Sequence, residues 1–107
     1  TAAPLEFPGS AFGPALGIAA EHVYQSCEWP LSAGERLFCF TDGLVELTDA
    51  AGQDYGPERL LAAAQAQAGR PLAEAVRALI LEAVGHSARE EPEDDICLLG
   101  VDVGGGP

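Results

Sequence analysis

Two pairs of residues carry the clearest chemistry in this sequence. Asp42-Gly43 closes the apolar run Leu37-Phe38-Cys39-Phe40, and Asp94-Asp95 opens the apolar run Ile96 to Val101. If those runs are antiparallel neighbouring strands, the end of the first lies beside the start of the second, with facing Cα atoms about 4.5 to 5.5 Å apart. Asp42 and Asp94 or Asp95 then converge. Carboxylates held that close repel one another unless a cation compensates them. Oxygen donors without a His or Cys set select Mg2+ or Mn2+ over Zn2+, and a water on such an ion beside a phosphoryl group is a ready nucleophile. The competing reading makes Asp42-Gly43 an ordinary turn, since Asp-Gly is a common turn dipeptide, and Asp94-Asp95 a solvated strand start. Spacing alone leaves both open.

The elements that must position these acids are legible as hydrophobic patterns. The turn Ser32-Ala33-Gly34-Glu35 delivers the chain into Arg36 to Thr41, apolar at consecutive positions as expected for a strand covered on both faces. Glu21 to Glu28, with Val23 and Tyr24, reads as a strand closed by Pro30. Residues 1–18 read as a loop-rich lead-in broken by Pro4, Pro8, Gly9, Gly13, Pro14 and Gly17, with a short strand near Leu5 to Phe7. After Asp42-Gly43, a short segment Leu44 to Leu47 runs into a polar turn, Thr48 to Tyr55. Gly56-Pro57-Glu58 then starts a helix with Leu60, Leu61, Ala64 and Ala68 on one face, and Gly69 stops it. A second helix begins near Pro71, and its stripe of Leu72, Val76, Leu79, Ile80, Ala83 and Val84 is expected to lie on a sheet. Gly85 to Glu93 reads as an exposed acidic loop, Ile96 to Val103 as the last strand, and 104–107 as a tail. The fold class is α+β, with antiparallel sheet flanked by helices.

Composition narrows the function classes. The 107 residues make about one small domain. Seventeen acidic against five basic residues give a net charge of −12, which repels nucleic acid and anionic lipid. No apolar stretch approaches the roughly 18 residues of a membrane span. The chain begins at Thr1 and contains no Met, so it is expected to be a piece of something longer. Cys27, Cys39 and Cys97 are odd in number, two of them inside apolar runs. They read as buried reduced thiols, which points to a reducing cytoplasm. His22 and His86 read as surface residues. The Gly-rich stretch at 13–18 lacks the Lys and Ser/Thr of a nucleotide-binding loop.

Four strings, taken in order, resemble a known family: Gly13-Pro14-Ala15-Leu16-Gly17-Ile18, Phe40-Thr41-Asp42-Gly43-Leu44-Val45-Glu46, Tyr55-Gly56-Pro57-Glu58-Arg59-Leu60 and Asp94-Asp95-Ile96-Cys97-Leu98-Leu99. They look like the metal-dependent serine/threonine phosphatases of the protein phosphatase type 2C class, in the bacterial branch that controls sporulation and sigma factors. The resemblance covers nearly all of residues 1–107 but only the C-terminal half of the family's catalytic domain. It implies half of a sandwich of two antiparallel sheets flanked by helices, and two Mn2+ or Mg2+ ions in the complete domain. Asp42 and Asp94 map onto ligands of one metal. Asp95 stands where many relatives have Asn and takes a supporting role; Gly43 and Glu46 are weaker candidates, and Glu46 can equally face solvent.

The implied reaction is attack on phosphoserine or phosphothreonine of a regulatory protein by a water bridging both metals, with no phosphoenzyme. The family's Asp-Val-x-Gly-His-Gly type motif, which supplies the bridging Asp, has no counterpart here. The chain alone is therefore expected to be inactive, and the alternative is a non-catalytic regulatory or interaction module that keeps the fold. Half a sandwich leaves sheet edges and a helix face uncovered, so dimerisation, strand exchange or association with the missing half is expected.

Overall fold

The computed structural model describes residues 2–6, 15–88 and 94–104. Its elements run β1 (Arg36–Phe40), α1 (Asp42–Val45), α2 (Pro57–Ala66), α3 (Leu72–His86) and β2 (Leu98–Asp102). The two strands form an antiparallel sheet in a register from Arg36↔Asp102 to Phe40↔Leu98. With three helices alongside, the architecture is α+β, as expected.

The aromatic and aliphatic side chains of β1 favour a pleated strand. The pairing continues past its start: Gly34 N–H donates to the Val103 carbonyl, and Val103 N–H to the Glu35 carbonyl, both at 2.9 Å. Arg36 pins the same end. Its guanidinium donates to both Asp102 carboxylate oxygens (2.5 and 3.1 Å) and to the Arg70 carbonyl at 2.7 Å, fastening the sheet to the loop between α2 and α3.

The alternation of a strand decides which sheet face is covered. Phe38 and Gly100 face α3, and the lack of a side chain at Gly100 is required there. A Cβ would lie 2.8 Å from Leu72 Cδ1 and 3.0 Å from Val76 Cγ2, so the glycine sets how closely β2 approaches the helix. The opposite face carries Cys39, Leu99 and Val101, all exposed. The expectation of a strand covered on both faces is thus corrected: among the described residues only one layer packs on this sheet. Cys39 on that open face and Cys97 just before β2 are exposed and Cys27 is half-buried, rather than buried as expected; all three are free thiols.

The core gathers Leu44 of α1, Leu47, Tyr55, Leu60 and Ala63 of α2, and Leu79 and Ala83 of α3, with Phe38, Ile96 and Leu98 packed against it. The alanines let the helices approach closely while the leucines fill the space between them.

Several boundaries differ from the sequence expectations. Glu21 to Glu28 forms no strand, and Leu5 and Glu6 are irregular; Phe7 lies outside the described residues. A strand needs a ladder to satisfy its backbone, and among the described residues no ladder forms with this segment. Gly85 and His86 belong to α3 rather than to a loop, while residues 89–93 of that loop lie outside the described residues. β2 begins at Leu98, two residues later than the apolar run. No described helix is long and apolar enough to cross a membrane.

Candidate functional site

The chain changes from strand to helix at Thr41, and its hydrogen bonds show how. Thr41 N–H donates to the Cys97 carbonyl at 3.1 Å, one rung beyond Phe40↔Leu98. A backbone rung in return would use the Thr41 carbonyl, but that group has turned into α1 and accepts from Leu44 N–H at 3.1 Å. Cys97 N–H donates instead to Thr41 Oγ1 at 3.1 Å. The same hydroxyl donates to the Asp95 carbonyl at 3.4 Å. One side chain thus stands in for its own diverted carbonyl.

Beyond this joint the two acidic pairs adjoin. Gly43 is buried, and a Cβ built on it would collide with the Asp95 carbonyl oxygen and sit 3.5 Å from the Asp94 carbonyl carbon. Only glycine permits that approach. Asp42 is the first residue of α1 and is exposed; Asp94 and Asp95 lie just before β2 and are also exposed. The Asp94 carboxylate accepts the Asp95 N–H at 2.8 Å. Glu46 sits at the far end of α1, exposed, its N–H donating to the Asp42 carbonyl at 2.9 Å. The antiparallel pairing required for convergence is present. It brings together the backbones that carry Asp42, Gly43, Asp94 and Asp95, and it leaves Glu46 one helical turn away.

The other end of α1 is fastened by the Tyr55-Gly56 string. Tyr55 N–H donates to the Leu47 carbonyl at 2.7 Å and Gly56 N–H to the Val45 carbonyl at 2.9 Å. Behind this string lies a polar cluster. His86 Nδ1 accepts from Arg59 at 2.7 Å and Nε2–H donates to the Gln53 carbonyl at 2.9 Å; since guanidinium cannot accept and carbonyl cannot donate, these partners fix the tautomer. The surface reading of His86 is corrected, for its side chain is only 12% exposed. Asp49 Oδ1 accepts from the Ala51 and Gln53 amides, each at 2.9 Å. The Gln53 amide is the main reason its carboxyl lies below the usual range, aided by Ala51, His86 and Arg59. Tyr55, buried and donating to the Arg59 carbonyl, is pushed up to about 12, chiefly by burial.

Thr41 and Arg59 stand within the strings that carry the resemblance, yet neither has a task that its own string reveals. A hydroxyl at the last position of an apolar strand, just before Asp-Gly, was the available signal for Thr41. His86 offered none, because its partners lie 27 and 33 residues away.

Two exposed carboxylates on adjoining backbones supply hard oxygen donors, the chemistry a Mg2+ or Mn2+ ion requires. Gly43, where a Cβ would fill the space against the Asp95 carbonyl, keeps the two backbones together. The fit is that of a partial shell: among the described residues no group of three or more His, Cys, Asp or Glu gathers to hold a metal ion.

Residues 5–104 match the family model of Stage II sporulation protein E (SpoIIE). No curated protein and no solved structure matches the chain.

Proposed function

Because the chain belongs to the Stage II sporulation protein E family, whose members are phosphatases of the protein phosphatase type 2C kind, we propose that it forms part of a metal-dependent serine/threonine phosphatase domain. Its substrate would be a phosphorylated regulatory protein in bacterial signalling, of the sort that controls sigma factors or a stress response. The observation that carries this reading is the approach of Asp42-Gly43 to Asp94-Asp95 across the end of the sheet. Asp42 and Asp94 would hold one metal ion, and Asp95 would orient the Asp94 side of the pair through its backbone. A bound Mn2+ or Mg2+ supplies electrostatic activation of water and neutralises charge on the phosphoryl group. The chain's own contribution is to hold two carboxylates on rigid backbone, one at a helix start and one beside a strand. The remaining ligands would come from outside residues 1–107. The three free thiols accord with a reducing cytoplasm.

In the full-length protein with manganese, hydrolysis of para-nitrophenyl phosphate and of a phosphoserine protein is expected. Asp42→Ala should lower kcat/KM by more than about 100-fold, since loss of a direct ligand exceeds the effect of groups around it. Activity untouched by Asp42→Ala would refute the assignment.

The partial shell favours a second reading, a regulatory or interaction module that keeps the fold without the chemistry. A full-length protein that captures a phosphoprotein but releases no phosphate in the presence of manganese would select it.

A further inference from the structure

We propose that Thr41 is a positioning residue for the acidic pair, acting through its hydroxyl as the pin that holds the Asp42 segment against the Asp94-Asp95 segment. The proposal rests on the metal-site reading above.

Three observations carry it. First, Thr41 Oγ1 makes two contacts that no backbone group makes in its place: it accepts from Cys97 N–H at 3.1 Å and donates to the Asp95 carbonyl at 3.4 Å. Second, the Thr41 carbonyl is committed to Leu44 N–H, so it cannot return to Cys97 without unwinding the start of α1. Third, although Thr41 stands at the N-cap of α1, its side chain makes no cap hydrogen bond. A threonine hydroxyl at a helix start ordinarily serves the helix; here it serves the opposite strand. The Asp95 carbonyl it holds is the group that lies over Gly43. Hence one hydroxyl, one residue ahead of Asp42, fixes where the backbone bearing Asp94 and Asp95 passes the start of α1.

The wedge between strand and helix is also the place where misplacement matters most. Groups that orient metal ligands without touching the metal commonly change affinity by about 10- to 100-fold when removed, and Thr41 stands one residue from Asp42 and two hydrogen bonds from the other strand. Valine at this position keeps the shape and β-branching and loses both contacts. Serine keeps both.

The test compares full-length wild type, Thr41→Val and Thr41→Ser by two readouts. Amide hydrogen exchange at Cys97 reads the pin itself, without any metal. It should speed up in Thr41→Val while α3 amides stay protected, and return toward wild type in Thr41→Ser. Manganese titration by calorimetry reads the consequence: Thr41→Val should weaken binding by about 10- to 100-fold, with Thr41→Ser close to wild type. Fast exchange at Cys97 with unchanged manganese affinity overturns the positioning role. Unchanged exchange at Cys97 in Thr41→Val overturns the pin. If Thr41→Val fails to fold, weakened manganese binding by Thr41→Ser with its Cys97 amide still protected overturns the proposal, and wild-type affinity supports it. A wild type that takes up no manganese overturns the phosphatase reading, and the positioning role with it, while Cys97 exchange still reports on the hydroxyl.

Discussion

At the scale of single residues, the joint between the Asp42-Gly43 and Asp94-Asp95 segments depends on small groups that make room or hydrogen bonds. Gly43 is the clearest case. Its missing Cβ is the space that the Asp95 carbonyl occupies, so Gly43→Ala must push the two backbones apart. The obstacle is main chain, which has less freedom to yield than a side-chain tip, and overpacking of this kind costs about 1–3 kcal/mol. Thermal denaturation should show that loss, and manganese affinity should fall with it; an Ala variant as stable and as avid as wild type would mean the segments are not in contact. That the strand ends carrying Asp42 and Asp94 adjoin was legible in the sequence, because carboxylates beside apolar runs mark those ends. The tasks of Thr41 and of the Gly43 hydrogen were less so, because each is defined by a partner more than 50 residues away.

Among elements, α2 and α3 read well, the short α1 was not foreseen as a helix, and the strands read unevenly, for a physical reason. A helix satisfies its backbone internally, so the Pro57 start of α2 and the stripe of α3 carry their own evidence. A strand needs a neighbour. Arg36 to Phe40 has one in Leu98 to Asp102, and the expected antiparallel pairing holds; Glu21 to Glu28, poorer in apolar residues, forms no ladder among the described residues and stays irregular. The turn between α1 and α2 makes a separate, pH-dependent contribution. Asp49 accepts the Ala51 and Gln53 amides, which lowers its carboxyl below the ordinary range, and Arg36 does the same to Asp102. A depressed folded value means that these contributions are complete above the unfolded value of about 4 and are lost as the pH falls through the folded one. The melting temperature should therefore decline on acidification below about pH 4. Asp49→Asn keeps an oxygen acceptor but cannot titrate, so its acid decline should be shallower than that of wild type; an identical decline would assign the effect elsewhere.

For the molecule as a whole, the accessible surface of 7863 Å² exceeds the about 5600 Å² expected of a compact monomer of this mass. The excess has visible sources. Leu99 and Val101 lie open on the sheet face opposite Phe38 and Gly100, and Leu16, Ile18 and Val23 are exposed along the irregular segment before β1. Among the described residues the α+β unit thus leaves one sheet face uncovered and sets Asp42 and Asp94 at one end of the sheet. The account stands or falls on whether Asp42 and Asp94 serve one ion. Calorimetric titration of the full-length protein with manganese, in wild type, Asp42→Asn, Asp94→Asn and the double variant, tests this most directly. Two ligands of one ion should each lower affinity by more than about 10-fold when replaced, and the double variant should lose much less than the sum of the two, since coupled positions are not additive. Wild-type affinity in either single variant, or independent and additive losses, would contradict a shared site.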